Sequence, residues 1–253
     1  MNKTDWNKVK FRASSWGNLM TDPKTKEEKL AGELSVTTKK ELIKIYNLKR
    51  YGRKKDLVTN KMEKGTIGEE DSITLFSRVE KRLYFKNQVR LENEWFEGHP
   101  DLGDNEIITE SEEIWDIKTR WELDTFMPKL VEKIDKSEEY QVNVYFSLTG
   151  AKRGGIANTL IDCPLEILMD EKRKLLYSMN VISEDSPEYV EAANELERLL
   201  TFPDIDYRER VIKQPITRND EMIEAMKAKV PIFRQWLSDF EKKHLSLYKT
   251  QVV

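Results

Sequence analysis

The spacing of apolar residues divides the chain into helical ends and a β-rich middle. Apolar positions three and four residues apart predict helices over 14–20, 38–50, 58–80, 137–149, 186–201 and 217–245. The stretch Ile114-Trp115-Asp116-Ile117-Lys118 alternates as a half-buried strand does, with Asp116 and Lys118 on the side opposite Ile117. The apolar run from Ile156 to Ile161, preceded by Gly154 and Gly155, predicts a second strand. The pattern indicates one α/β domain over 1–253.

Local signals suggest where some helices begin. Ser137 is a candidate N-cap for the helix over 137–149, and Thr217 with Asp220 stands in capping-box register before the last helix. Pro231 is expected to kink that helix. The apolar stripe of the last helix indicates core or a subunit contact and consists of Ile223, Met226, Val230, Phe233, Leu237 and Phe240.

Charge is distributed unevenly along the chain. Residues 1–55 contain 15 Lys/Arg and 6 Asp/Glu, whereas the remainder contains 28 Lys/Arg and 40 Asp/Glu. A basic first fifth on an acidic body suits a local contact with phosphates. The alternative is a solvated, lysine-rich face.

Several protein classes are disfavoured by composition. No run of about 18 apolar residues indicates a transmembrane helix, and the N-terminus has no apolar segment typical of secretion. Cys163 is the only cysteine, so an intrachain disulfide, a zinc cluster and a four-cysteine iron–sulfur site are excluded. We expect a cytoplasmic protein with no membrane partner.

One constellation points to chemistry. Gly98-His99-Pro100-Asp101 precedes a hairpin, and 14 residues separate Asp101 from Asp116, which is followed by Lys118. Two carboxylates on adjacent strands can share Mg²⁺, which prefers oxygen ligands. A lysine on the same strand face can hold an attacking water, as metal-assisted phosphodiester hydrolysis requires. The alternative is a surface hairpin with solvated charges, since Asp and Lys are abundant here.

Three neighbouring features favour the catalytic interpretation. Glu69 lies on a predicted helix next to Gly65 and Gly68, which suggests close backbone approach beside a carboxylate; the alternative is an exposed acidic helix. Gln141 and Tyr145 form a polar pair on an otherwise apolar helix face, or simply a boundary pair. The third feature is a hydroxyl-rich helix start that could bind an anion or merely cap the helix: Arg12, Ser14 and Ser15.

The order of these motifs resembles that of one nuclease family. Gly65-Thr66-Ile67-Gly68-Glu69, Gly98-His99-Pro100-Asp101-Leu102, Asp116-Ile117-Lys118 and Tyr140-Gln141-Val142-Asn143-Val144-Tyr145 follow a segment with Ser14-Ser15 and Asn18-Leu19-Met20. The chain is similar to the lambda-exonuclease and RecB-like branch of the PD-(D/E)XK nucleases, which includes YqaJ-type viral recombinases. The similarity covers about 10–165. Residues 166–253 would be a helical C-terminal elaboration. One departure is Asp116, where relatives usually have Glu.

The resemblance implies a fold and a set of residue roles. The fold would be a restriction-endonuclease-like α/β core with a central mixed sheet flanked by helices. Asp101, Asp116 and the Ile117 carbonyl would bind Mg²⁺, with Mn²⁺ as a substitute and two ions per site. Glu69 would hold a metal directly or through water. Lys118 would activate the attacking water, and Gln141 would orient the substrate or that water. Arg120 and Tyr145 would contact the DNA, Arg120 at a backbone phosphate. A 5′-phosphate would be captured by Ser14 or Ser15 with Lys8, Lys10 or Arg12.

Three functions are consistent with these residues. The leading one is an exonuclease that resects double-stranded DNA ends from 5′ to 3′ for phage-type recombination. For that function the resemblance implies a homo-oligomer, a ring of three, and a single-strand annealing protein as partner. The alternatives are a restriction or repair endonuclease with the same core, and a non-catalytic DNA-end-binding phage protein.

Overall fold

The structure is a computed structural model that describes residues 4–53 and 59–250, with side chains as far as residue 245. Its helices are α1 Trp16–Leu19, α2 Lys26–Leu30, α3 Val36–Tyr51, α4 Asn60–Ile67, α5 Glu69–Glu80, α6 Leu123–Phe126, α7 Lys136–Thr149, α8 Leu165–Ser178, α9 Pro187–Leu200 and α10 Asp220–Thr250. Its strands are β1 Phe11–Arg12, β2 Phe85–Lys86, β3 Leu91–Glu92, β4 Phe96–Gly98, β5 Leu102–Gly103, β6 Glu113–Thr119, β7 Arg153–Thr159 and β8 Val211–Thr217.

The strands form two sheets. The larger sheet has the order β2-β5-β6-β7-β8, and the smaller one has the order β1-β4-β3. Strands β6 and β7 run parallel, whereas the other pairs of the larger sheet are antiparallel. The larger sheet is therefore mixed, as the sequence predicts, and its longest parallel pairing lies at its centre.

Helices cover both faces of the larger sheet. Trp115 and Ile117 of β6 pack on one face with Phe76 of α5. Ile114 of the same strand belongs to the other core, together with Phe146 of α7. Successive strand residues point to opposite faces, so the alternation in the sequence places α5 on one side of β6 and α7 on the other.

The predicted helices exist, with changes at their ends. Ser35 caps α3 by accepting the Thr38 N–H, and Ser186 does the same for α9 at Tyr189. The segment over 14–20 is a 3-10 turn followed by the short α1. The predicted start of the helix over 58–80 lies outside the described residues, and that helix is divided at Gly68 into α4 and α5.

Gly68 explains the division between α4 and α5. A Cβ atom on Gly68 would lie 2.2 Å from Ile161 Cδ1, so the backbone approaches the end of the β7 segment too closely for a side chain. The expected close approach is therefore present at Gly68. It is absent at Gly65, where a Cβ atom would meet no described atom within 4 Å. Gly65 borders a cleft, whereas Gly68 packs against the core.

Three further boundary predictions are wrong. Asp135, not Ser137, caps α7, because its carboxylate accepts the Ser137 N–H at 2.6 Å. Thr217 ends β8, and Asn219 accepts the Met222 N–H at 2.9 Å before α10 begins. Gly154 and Gly155 belong to β7 itself, which ends at residue 159. At the starts of α7 and α10, a side chain other than the predicted one accepts a free backbone N–H of the first turn.

The last helix holds the N-terminal part of the chain in place. The predicted stripe is buried from Ile223 to Leu237 against the N-terminal aromatic residues, with Phe240 partly buried, so this stripe is core. Phe233 lies 5.6 Å from the Phe11 ring and 6.1 Å from the Trp16 ring, centroid to centroid. Pro231 lies inside α10. In the described part of the chain, no helix combines the length and apolar character that crossing a membrane requires.

Candidate active site

Strand β6 carries the acid and the lysine of the predicted motif. Asp116 and Lys118 leave the strand on the side of α7, and Ile117 between them packs toward α5. Asp116 is 3% exposed, and its Oδ2 lies 2.5 Å from Lys118 Nζ. Burial disfavours the charged amine, but the Asp116 carboxylate outweighs this effect and raises the pKa of Lys118.

Asp101 reaches the same place from the neighbouring strand. It directly precedes β5, whose Leu102 pairs with Trp115 of β6. Its Oδ2 accepts the Ile117 N–H at 2.7 Å. Desolvation and the nearby Asp116 carboxylate raise the pKa of Asp101 well above its ordinary value. The Asp116 carboxylate therefore disfavours the charged form of Asp101.

Asn87 positions the loop that presents Asp101. Its backbone N–H donates to the Asp101 carbonyl at 2.8 Å, and its buried side-chain amide donates to the Pro100 carbonyl at 2.9 Å. Sequence reasoning missed Asn87, because no local pattern marks an asparagine just after a two-residue strand. Its partners are 13 and 14 positions away.

Gln141 and Tyr145 approach the acids from α7. Gln141 Nε2 donates to Asp116 Oδ1 and to the Tyr145 hydroxyl oxygen, both at 3.0 Å. Burial, followed by the charges of Asp116 and Asp101, raises the pKa of Tyr145 strongly. The polar pair predicted on this helix face therefore contacts the acid, and Tyr145 stays a neutral phenol.

Glu69 borders the same cleft but makes a different contact. It opens the first turn of α5, and its Oε2 lies 3.3 Å from Lys86 Nζ on β2. Lys86 also lies 3.6 Å from Glu70. In residues 4–53 and 59–245, no three His, Cys, Asp or Glu side chains converge as a metal cluster. Lys86 was not expected from the sequence.

Arg120 continues the line of β6 at the rim of the cleft. Its guanidinium donates from Nε to Asn158 Oδ1 at 2.8 Å and from Nη2 to the same oxygen. Asn158 is fully buried on β7, beside Lys118 in the strand register. A polar residue in the apolar run Ile156-Ala157-Asn158 was a sequence signal for this partner.

The residues predicted to capture a phosphate lie in another cleft. Arg12, Ser14 and Ser15 border a volume of about 570 Å³ beside α3. The Ser15 hydroxyl donates to Glu41 Oε1 at 3.0 Å, and Arg12 Nε lies 3.4 Å from Glu97 Oε1. Acidic partners therefore already engage Arg12 and Ser15, whereas Ser14 is exposed. Lys10 pairs with Glu92 and Lys8 with Asp5.

The central cleft has a volume of about 540 Å³ and both acidic and basic walls. It brings together most of the predicted catalytic residues, namely Glu69, Asp101, Asp116, Ile117, Lys118, Arg120, Gln141 and Tyr145, and adds Lys61 and Lys86. Two mutually repelling carboxylates beside a backbone carbonyl form an oxygen-rich donor set that suits a small, hard cation. Mg²⁺ fits these residues, and the lysines and arginine suit a phosphodiester.

Comparison with solved structures agrees with this fold. No family model matches the sequence, and no curated protein matches it. A phage-related exonuclease from Haemophilus somnus 129PT superposes with a TM-score of 0.71 at 22% identity, over 93% of this chain and 96% of that one. An alkaline exonuclease from Laribacter hongkongensis, LHK-Exo, gives 0.59 at 12% identity, over 98% of each chain.

The chain has the fold of these exonucleases. The predicted PD-(D/E)XK-type class, an α/β core with a central mixed sheet flanked by helices, is therefore confirmed. LHK-Exo in complex with dAMP also matches, with a TM-score of 0.59 at 12% identity over 96% of this chain and 95% of that one. Similarity at these identities establishes fold, and function has to be argued from the site.

Proposed function

We propose that the protein is a metal-dependent deoxyribonuclease that degrades double-stranded DNA from its ends. The observation that carries the proposal is the meeting of Asp101, Asp116 and Lys118 in one cleft, on a fold shared with known exonucleases. An acid, a hairpin, a second acid and a lysine on one strand face are what metal-assisted phosphodiester hydrolysis requires.

Asp101, Asp116 and the Ile117 carbonyl would hold Mg²⁺, and Mn²⁺ would serve in its place. When bound, the ion would stabilise charge on the phosphate and lower the pKa of a bound water. Glu69 would bind a metal ion directly or through water, once its ion pair with Lys86 is broken. The site would hold two ions. These roles follow the donor chemistry of the cleft.

Lys118 and Gln141 have the contacts that their proposed roles need. Lys118 Nζ lies against Asp116 at the cleft wall, so its N–H groups can hold the attacking water beside that acid. Gln141 fixes the orientation of the Asp116 carboxylate through its amide N–H. Arg120 would contact a backbone phosphate next to the reacting one.

The direction of digestion would come from the second cleft. We infer that Arg12, Ser14 and Ser15 receive a 5′-phosphate, helped by Lys44 and Arg53 on the same walls. Digestion would then run from 5′ to 3′ and leave 3′ single-stranded tails. The biological setting would be phage-type recombination in the cytoplasm of a bacterial or phage-infected cell, with a homo-oligomeric ring of three and a single-strand annealing protein as partner.

The deciding experiment compares linear and closed circular duplex DNA in Mg²⁺, Mn²⁺, Ca²⁺ and EDTA. We expect degradation of linear DNA only, in Mg²⁺ or Mn²⁺, and none with Asp116→Asn, which removes the charge but keeps the shape. Cutting of circles would indicate an endonuclease, and binding without cutting would indicate an end-binding protein. Full activity in EDTA would refute the metal-dependent mechanism.

A further inference from the structure

A chain of buried amides leads from Arg120 away from the cleft. Asn158 Oδ1 receives two N–H groups of the guanidinium. The Asn158 amide donates to Gln214 Oε1 at 3.1 Å and to the Ile212 carbonyl at 3.2 Å. The Gln214 amide in turn donates to the carbonyls of Lys129 and Glu132 at 3.3 and 3.2 Å. Both amide side chains are at least nine-tenths buried.

This network fixes the direction of the guanidinium. Its hydrogen bonds within the described part of the chain use Nε and Nη2, which leaves Nη1 for another acceptor. The Arg120 side chain is 20% exposed and lines the central cleft beside Lys118. Because the amides are tied to backbone carbonyls on β8 and on the segment after α6, Asn158 cannot follow a turn of Arg120, which would break both hydrogen bonds of the guanidinium to Asn158 Oδ1.

The acceptor is an amide and not a carboxylate, which has an electrostatic consequence. A carboxylate at position 158 would neutralise the guanidinium, whereas the amide oxygen orients it and leaves its positive charge intact. Glu138 forms an ion pair with the guanidinium, at 3.8 Å from Nη2, but the contact is longer than a hydrogen bond and both side chains are partly exposed. The ion pair therefore offsets the charge of Arg120 only in part and leaves Nη1 for a phosphate.

We propose that Asn158 and Gln214 are positioning residues that hold Arg120 as a clamp for a DNA backbone phosphate at the rim of the catalytic cleft. The proposal rests on the proposed nuclease function and adds two residues without substrate contact. It also assigns a reason for the residue type at 158: an acceptor that orients the arginine without cancelling its charge.

The test measures the salt dependence of duplex binding by fluorescence anisotropy, in Ca²⁺ so that the DNA stays intact. Each phosphate contact contributes about 0.9 to the slope of log affinity against log salt concentration. We expect Arg120→Ala to lower the slope by about 0.9 and affinity by about ten-fold. Asn158→Leu should have the same effect, and the double variant should be no worse than either single variant.

Asn158→Asp keeps the volume and the acceptor oxygen toward Arg120 but loses the N–H groups that donate to Gln214 and Ile212, so a thermal unfolding curve is the check on its folding. Its carboxylate should pair with Arg120 and lower the slope as Arg120→Ala does, while the protein still unfolds cooperatively on heating. Asn143→Leu is the matched control, since Asn143 is equally buried and accepts the Asn219 N–H at 2.8 Å away from Arg120. It should leave the slope unchanged.

A wild-type slope in Asn158→Asp and Asn158→Leu, or additive losses in the double variant, would overturn the positioning role. Those results would leave the nuclease proposal standing if wild-type protein still degrades linear duplex. Conversely, if the variants show the expected slopes but wild-type protein digests no DNA in Mg²⁺, the proposed nuclease function is refuted, whereas the positioning of Arg120 by Asn158 and Gln214 is supported. Absence of DNA binding by the wild type would overturn both.

Discussion

At the scale of single residues, replacing Lys118 tests whether the cleft is a nuclease site or a charged hairpin without catalytic function. Lys118→Ala should reduce the chemical step by about 10²-fold or more, the range usual for general acid–base groups. Lys118→Arg should not restore it, since a planar guanidinium cannot take the place of a compact amine at a water. Single-turnover cleavage of an end-labelled duplex at saturating enzyme measures this step.

Lys213→Ala is the matched control for that experiment. Lys213 also pairs with a carboxylate, Glu80, at 2.6 Å. It lies on β8, which β7 separates from β6, and it does not border the central cleft. Its removal should leave the single-turnover rate within a few-fold of wild type. A similarly small effect of Lys118→Ala would mean that β6 is not the catalytic strand.

Lys64 is a second lysine with an unusual environment. It is fully buried on α4, donates to the Trp121 carbonyl at 3.0 Å, and lies 5.5 Å from the centre of the Phe202 ring. Burial lowers the pKa of Lys64 to about 8 from 10.5. This pKa difference corresponds to about 3 kcal/mol. The free energy of unfolding is lower by that amount when the folded state binds the proton.

The stability of the protein should therefore depend on pH through Lys64. Below about pH 8 both states carry the proton, and the folded state bears the full cost; between about 8 and 10.5 only the unfolded state binds it, so stability rises with pH. Urea unfolding of wild type and Lys64→Met should show this rise in wild type alone. Lys61→Met, which removes an exposed lysine on the same helix, should retain the rise.

At the scale of elements, β7 depends on two glycines. Gly154 and Gly155 have φ of +150° and +148°, and a Cβ atom on Gly154 would lie 1.6 Å from the Ile114 carbonyl oxygen. Gly154→Ala should lower the free energy of unfolding by about 3 kcal/mol or more, from strain and overpacking together. Urea denaturation followed by circular dichroism measures it.

Gly65→Ala provides the comparison within the same chain. Gly65 has negative φ, and its missing Cβ would meet no described atom within 4 Å. Alanine should therefore stabilise α4 by up to about 1 kcal/mol through helix propensity. If Gly154→Ala were as stable as Gly65→Ala, β6 and β7 could not approach each other as closely at Gly154 as the structure shows.

The central strands β6 and β7 and most of the long helices, but not their boundaries, follow from the sequence. Alternation over Ile114–Lys118 predicted β6 and its two faces, because Trp115 and Ile117 are apolar on one face whereas Asp116 and Lys118 are charged on the other. The break at Gly68 depends on Ile161, 93 positions away, and no local pattern shows it. Strand β8 was missed because Val211–Thr217 alternates like an exposed edge and includes Pro215, which discourages a strand assignment.

The same limit applies to the candidate site. The order of motifs was enough to predict that Asp101, Asp116, Lys118 and Gln141 meet, because each stands on, or directly next to, a strand or helix of the core. The partners Lys86 and Asn87 could not be predicted in this way, and Asn158 was marked only as a polar residue in an apolar run. Their contacts join residues 13 to 38 positions apart, and only the folded sheet brings them together.

At the scale of the whole molecule, two clefts would have to act on one DNA end. If the N-terminal cleft captures a 5′-phosphate, Arg12→Ala should slow digestion of 5′-phosphorylated linear duplex by about ten-fold or more. The rate on 5′-hydroxyl ends should change much less. Initial rates on the two substrates measure the effect. Because the substrates differ only at the 5′ end, the comparison reports on the phosphate and not on the rest of the duplex.

Lys39→Ala is the control for overall charge. Lys39 lies on α3, pairs with Glu33 at 3.1 Å and does not border that cleft. It should slow digestion of both kinds of end equally, if at all. An equal effect of Arg12→Ala on both ends would show that Arg12 and the adjoining serines are a structural cap.

The brevity of β5 has a consequence for solubility. Strand β5 pairs with β6 only at Trp115 and Ile114, so beyond them no strand among the described residues pairs with that edge of β6. Open strand edges recruit strands of other molecules unless charge blocks them. Asp101 supplies that block by binding the Ile117 N–H. Asp101→Ala should therefore self-associate, visibly by light scattering on mild warming, whereas Asp101→Asn, which keeps an acceptor oxygen, should remain dispersed although equally inactive.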